Sequence, residues 1–125
     1  MENKKIAKAI IKFGEQYICF QSKSLVKKWE FFGGEVQNGQ TDIGFLTQKF
    51  KAEFGISVSI GKKFCQAIFF DYGTQFDVSA YVVNIFDDSI FDVIKTPFKC
   101  LMAPELKTLA FENVDKVIMQ KILQN

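Results

Sequence analysis

Apolar and polar positions follow two periods along this chain, and the changes of period mark its elements. Lys4 to Phe13 sets Ile6, Ala7, Ala9, Ile10, Ile11 and Phe13 among lysines, which predicts a strand. Gly14-Glu15 supplies a two-residue turn, and the β-branched and aromatic run Gln16 to Phe20 predicts a paired return strand. Gln21 to Lys28 is polar and lysine-rich and predicts a loop or a strand edge leading to Trp29. A short apolar strand, Trp29 to Phe32, ends in Gly33-Gly34 and a polar loop closed by Gly39. From Thr41 to Phe54 the period becomes helical. Ile43, Leu46, Phe50 and Phe54 fall on one face, Thr41 can cap the start, and Gly55 supplies the stop.

After the helix, Ile56, Val58 and Ile60 alternate with Ser57 and Ser59, the two-residue period of a half-buried strand. Phe64 to Tyr72 and Gln75 to Phe86 are two more strands, joined by a hairpin at Gly73-Thr74. Asp87 to Thr96 is acidic and irregular and predicts a loop, and Phe98 to Met102 a short strand. Pro104 suits the first turn of a short helix from Ala103 to Leu109. Asn113 can cap a final helix whose apolar face is Val117, Ile118, Met119, Ile122 and the stem of Lys121. Strand-rich segments with a few helices predict an α+β fold with helices packed on the sheet, as a single domain over residues 1–125.

Composition narrows the chemistry. A hydrophobic content of 48% with 15 Phe requires a packed core. The net charge of +2 lacks the concentrated basic character of a duplex nucleic-acid binder. There are no histidines, which excludes His-based zinc sites, Ser-His and Cys-His catalysis, and imidazole bases. Cys19, Cys65 and Cys100 are far apart in apolar surroundings, the pattern of reduced, buried thiols. Neither a signal pattern nor a membrane-length apolar run is present, so a soluble cytoplasmic protein without a membrane partner is expected.

The segment Trp29 to Ile56 reads W-E-F-F-G-G-E-V-Q-N-G-Q-T-D-I-G-F-L-T-Q-K-F-K-A-E-F-G-I. Its strand, glycine pair, helix and glycine stop resemble the signature segment of the Nudix (MutT-like) nucleotide pyrophosphohydrolases. Leu101 to Leu106 resembles a late stretch of the same family, with Leu101 where Trp is usual. Phe111 to Asp115 resembles the loop before its last helix. The resemblance implies an α/β/α sandwich around a mixed β-sheet. It also implies a nucleoside triphosphate or related nucleotide as partner, and Mg²⁺ or Mn²⁺ as cofactor; it sets no oligomeric state.

The family pattern is G-x5-E-x7-R-E-U-x-E-E-x-G-U, with U apolar. Its glycines let the backbone approach a metal, and its helical glutamates converge on one side to hold a hard cation. Matched to it, Gly34, Gly55 and Ile56 are kept. The first glutamate is Gln40, the arginine is Gln48, and the next two glutamate positions are Lys49 and Ala52. Glu53 is the one box glutamate retained.

Lys49 and Glu53 stand four residues apart. They can form a solvated helical ion pair, or the Lys49 ammonium can sit where a metal would and hold a phosphate. Glu30 and Glu35 beside Gly33 and Gly34, and Asp87, Asp88 and Asp92 in the late loop, are either solvated charges or replacement ligands. By the resemblance, Asp115 contacts a nucleobase edge; by its position alone it charges the first turn of the last helix. Phe111, Phe69 and Tyr81 are candidate stacking walls as well as core residues. Three functions fit this pattern. The first is a nucleotide binder with impaired or absent metal-dependent hydrolysis. The second is a hydrolase with a rearranged site built on Glu53 and loop acids, and the third is a non-catalytic interaction module.

Overall fold

The computed structural model describes residues 2–23 and 27–124. The middle of the predicted Gln21 to Lys28 loop, residues 24–26, lies outside them. Strand β1 (Glu2–Phe13) turns at Gly14-Glu15 into β2 (Gln16–Gln21), with Phe13 opposite Gln16. The strands β3 (Trp29–Glu30) and β4 (Phe32–Val36) precede helix α1 (Asp42–Phe54). Then come β5 (Lys63–Asp71), β6 (Thr74–Ile85), a single-turn helix α2 (Ile90–Val93) and β7 (Phe98–Leu101). A 3-10 turn (Ala103–Thr108) and helix α3 (Asn113–Gln124) complete the chain.

The sheet is mixed. β1 runs parallel to β6 along its whole length and antiparallel to β4 and β2 on its other edge. The strand order is β3-β2-β1-β6-β5, with β4 on β1 and β7 on β2. Alternation along β1 sends Ala7, Ala9 and Ile11 into a core with Leu46, Phe50 and Phe54 of α1. It sends Ile10 into a second core with Ile118 and Ile122 of α3. One helix layer on each face makes this the α/β/α sandwich expected, of α+β class.

Four expectations are corrected. Trp29 to Phe32 is not one strand: β3 pairs with β2, β4 pairs with β1, and the chain changes partner at Phe31. Gly33 and Gly34 are not loop residues but lie in β4 opposite Lys8 and Ala7. A Cβ on Gly33 would stand 2.2 Å from the Ala7 carbonyl oxygen, so glycine is what lets the two strands approach. Ile56 to Ile60 keeps its alternation, with the apolar residues turned to the α1 core, but forms no ladder. Its period reports packing without pairing; the chain joins the sheet only from Gly61, whose N–H donates to Val82 O at 2.8 Å. The late acidic loop, finally, contains α2, because buried Ile90 pins one helical turn there.

Smaller differences have local causes. The second hairpin turns at Tyr72-Gly73, with φ of 46° and 78°, a step earlier than Gly73-Thr74. On α1, Leu46, Phe50 and Phe54 are buried while Ile43 is exposed; Phe45 is the first-turn residue that packs, over Gly34. Thr41 Oγ1 accepts the Gly44 N–H at 3.0 Å and Gly55 ends the helix at φ 69°, as expected. In α3 the buried stripe is Val114, Ile118 and Ile122, so Val114 does the work assigned to Val117. Asn113 opens that helix at φ 49°, a left-handed conformation Asn adopts more readily than most residues.

Candidate functional site: the face of α1 against β4

Helix α1 is tied to the sheet at its N-terminus by charge. Asp42 accepts a hydrogen bond from the Tyr81 hydroxyl at 2.6 Å and stands 3.6 Å from Lys5, which also donates to Ser79 Oγ at 3.2 Å. Asp77 lies 3.7 Å from the same ammonium. Burial first, and then Asp42, push the Tyr81 phenol up to about 12. The Tyr81 hydroxyl is thus a clamp on the start of α1, and its ring lies in the core beneath that helix. Nothing in local sequence announces these contacts, which join residues tens of positions apart.

The box positions before and along α1 lie beside β4 and contact one another in pairs. Gln40 Nε2 donates to Gln48 Oε1 at 3.2 Å, and Gln40 Oε1 accepts the Gln37 N–H at 3.0 Å. One turn on, the Lys49 ammonium donates to Glu53 Oε1 at 2.7 Å and lies 5.2 Å from the centre of the Phe32 ring. At a half-exposed helix surface such a pair contributes about 0.3–0.5 kcal/mol. Lys49 and Glu53 line two openings. One is a cleft of about 130 Å³ that also takes in Glu30, Gly33 and Lys23. The other, of about 340 Å³, is lined by Glu35, Gln40, Gln48 and Ala52 as well.

The candidate acids separate here. Glu30 shares the smaller cleft with Glu53, and Glu35 shares the larger opening but stands 3.5 Å from Lys4. Asp87 faces a different cavity, of about 410 Å³ beside Ile56 and Val58, where the Ser89 N–H holds its carboxyl below its usual range. Asp88 and Asp92 are exposed on the same segment and line neither opening. Among the described residues, no group of three or more His, Cys, Asp or Glu is placed to hold a metal ion.

Asp115 lies on the opposite face of the sheet. Its Oδ1 accepts the Phe31 N–H at 3.0 Å and lies 3.3 Å from the Lys8 ammonium, which donates to the Phe31 carbonyl at 3.0 Å. Both backbone groups of Phe31, free of the ladder because the chain changes partner there, are therefore satisfied by one side-chain pair. The Phe31 ring stacks on Phe111, with centroids 5.2 Å apart and planes 2° off parallel. Phe69 stacks on Phe76 instead. The Lys8 partnership is the feature sequence reasoning missed; a lysine inside an apolar strand run was its one available signal.

Burial raises all three thiols, Cys19 to about 12. All three are free. No helix among the described residues is long and apolar enough to cross a membrane.

No family model matches the chain, and no curated protein sequence matches it. Solved structures do. The E. coli ORF135 protein superposes with a TM-score of 0.82 at 16% identity, over 99% of this chain and 91% of that one. MutT of methicillin-resistant Staphylococcus aureus 252, a Nudix hydrolase, gives 0.78 at 20% identity, over 99% and 98%. The E. coli dihydroneopterin triphosphate pyrophosphohydrolase gives 0.77 at 14% identity, over the whole of both chains. This is a protein of the Nudix fold.

Proposed function

We propose that the chain binds the phosphates of a nucleoside triphosphate or related nucleotide between β4 and α1, without efficient metal-dependent hydrolysis. The observation that carries this reading is the Lys49 ammonium, 2.7 Å from the one retained box carboxylate and lining both openings of the site. An ammonium is a compact charge with three donors, so it can keep Glu53 and still meet a phosphate oxygen. The smaller cleft is below the roughly 300 Å³ of a whole-ligand pocket and suits a phosphate chain better than a base. A dihydroneopterin triphosphate pyrophosphohydrolase among the structural neighbours supports a triphosphate-bearing ligand.

The residues present do not fit Mg²⁺ or Mn²⁺. Such cations need several oxygen ligands, whereas the helix offers Glu53, already neutralised, with Ala52 and Lys49 beside it. The base-edge contact that the resemblance implies for Asp115 is kept apart from this proposal, because its carboxylate holds the Phe31 N–H and Lys8 on the opposite face of the sheet and lines neither opening. The free thiols support a reducing, cytoplasmic setting.

The test is a thermal-shift and calorimetric screen of nucleoside tri- and diphosphates with and without Mg²⁺ or Mn²⁺. A metal-independent stabilisation that Lys49→Ala removes is the expected result. No shift with any nucleotide would leave the interaction-module reading. A second reading keeps hydrolysis, because Glu30 and Glu53 share the smaller cleft. It requires pyrophosphate release from a triphosphate panel, abolished by Glu53→Gln.

A further inference from the structure

The cavity of about 410 Å³ just past the C-terminal end of α1 shares no lining residue with the two openings of the α1–β4 site. Its shape follows from where the chain leaves the sheet. Gly61 N–H donates to Val82 O at 2.8 Å, and Val82 N–H donates to Lys62 O at 3.1 Å. The segment 56–60 forms no ladder, while β6 runs on to Ile85. Backbone groups of a strand point alternately to its two sides, so those of Asn84 point the same way as those of Val82. They open into the gap between β6 and the 56–60 segment, beyond the end of the β5 ladder at Tyr81. The floor of the gap is apolar, with Ile85 and Ile90 buried and Ile56 and Val58 half-buried. Its volume falls within the roughly 300–1,000 Å³ of small-molecule sites.

The rim is polar, and its charge has one sign. Ser57, Ser59, Asn84 and Ser89 are exposed there, and Asp87 is the one charged residue of the lining. Hydrogen bonds from Ser89 hold the Asp87 carboxyl below its ordinary range, so it is ionised. Asp88 and Asp92 stand on the same segment, and among the described residues no ion pair reaches any of the three. This acidic rim is uncompensated on a chain whose net charge is +2. Beside it the Phe86 ring, which also lines the cavity, is 90% exposed. A bare aromatic face next to an uncompensated carboxylate attracts cations and repels anions. We infer that this cavity binds a small organic cation, a primary ammonium on an apolar body, of the arylalkylamine class. The body lies on Ile56, Val58 and Ile85, and Phe86 stacks on its ring. The ammonium meets the Asp87 carboxylate, and its other two donors go to the Asn84 carbonyl and a rim hydroxyl. The site takes the opposite charge from the one proposed at Lys49 and does not depend on it.

The test is a titration of the full chain with phenethylamine, followed through the backbone amide signals by NMR. Phenethyl alcohol and hydrocinnamate carry the same ring and stem with a neutral and an anionic end. Phenethylamine is expected to shift the amides of Ser57, Ser59, Asn84 and Phe86 saturably at millimolar concentration. The alcohol should bind more weakly, and hydrocinnamate should move none of these signals. Asp87→Asn keeps an acceptor for the Ser89 N–H and is expected to weaken the amine about fivefold. Phe86→Ala, at an exposed side chain, is expected to weaken it about threefold. Amide signals elsewhere in the chain check that both variants keep the fold. An amine that moves none of the four signals overturns the inference. So does an alcohol or carboxylate that binds as tightly as the amine, or an affinity that Asp87→Asn leaves unchanged.

Discussion

Gln40 and Gln48 are joined side chain to side chain, Nε2 to Oε1, at 3.2 Å. In the pattern this segment resembles, those positions carry a glutamate and an arginine. Here the two positions meet as a neutral amide pair. At the next turn Lys49 and Glu53 form an ion pair where two carboxylates would stand. The backbone that presents these residues is intact, from the Thr41 cap to the left-handed Gly55. What differs is the sign and number of charges on one helix face.

Placing carboxylates at these positions should therefore create cation binding. Lys49→Glu with Ala52→Glu puts three carboxylates at positions 49, 52 and 53, on one side of an ordinary helix. The double variant is expected to bind Mn²⁺ in calorimetry where the parent chain does not. Adding Gln40→Glu and Gln48→Arg should tighten it, since a bidentate arginine would hold one carboxylate in place. A double variant as indifferent to Mn²⁺ as the parent would show that the helix face does not present these positions together.

The pair of Lys8 and Asp115 predicts a large loss of stability on the opposite face. Their side chains are 10% and 15% exposed, and between them they satisfy the N–H and C=O of Phe31. Asp115→Ala leaves the Phe31 N–H without its acceptor and the Lys8 ammonium without its counter-charge, bonded to the Phe31 carbonyl alone, for which a loss of about 3 kcal/mol is expected in urea unfolding. Asp115→Asn keeps an acceptor for the Phe31 N–H and should lose clearly less. Equal losses would mean that charge, not the backbone bond, is what Asp115 supplies.

The helix α1 was legible because every signal for it is local: cap, apolar stripe and glycine stop lie within the fifteen residues from Thr41 to Gly55. Both hairpins were legible for the same reason, to within one residue at Tyr72-Gly73. The break at Phe31 was not, because it depends on Lys8 and Asp115, one 23 residues earlier and the other 84 later. The Ile56 to Ile60 segment shows the opposite error. Alternation records which side chains meet a core, and a chain can satisfy it without pairing. In the candidate site the lost acids could be read position by position. The Gln40–Gln48 contact and the Tyr81–Asp42 clamp needed the fold.

Gly33 and Gly34 are adjacent in β4 but should respond differently to alanine. At Gly33, φ is 153° and a Cβ would lie 2.2 Å from Ala7 O and 2.8 Å from Lys8 Cα, both backbone atoms that cannot yield without opening the β1–β4 ladder. At Gly34 the nearest atom is Phe45 Cζ at 3.2 Å, the far end of a side chain that can swing away. Gly33→Ala is expected to lose about 3 kcal/mol or more, and Gly34→Ala about 1 kcal/mol or less, in denaturant unfolding. The reverse order would place the close approach of the two strands elsewhere.

Stability should also fall at alkaline pH, and of the groups that folding raises, Cys19 and Tyr81 are shifted furthest, with Cys65 and Cys100 adding in the same direction. The Cys19 thiol rises from 9.0 to about 12 on folding, chiefly through burial. Tyr81 rises from 10.0 to about 12, through burial and then Asp42. Both are acids whose folded pKa lies above the unfolded one. Between those two values the unfolded chain gives up its proton while the folded chain keeps it, so unfolding is favoured as pH rises. Nothing is lost below the unfolded values. The decline begins near 9 with the thiol and steepens near 10 with the phenol. Cys19→Ala empties some core volume and will be less stable even at neutral pH, so the slope is the readout, not the absolute stability. Urea unfolding between about pH 8 and pH 11 should show a shallower slope for Cys19→Ala from the start of the window, and for Tyr81→Phe only in its upper part. If all three proteins lose stability in parallel, neither group is held protonated by the fold.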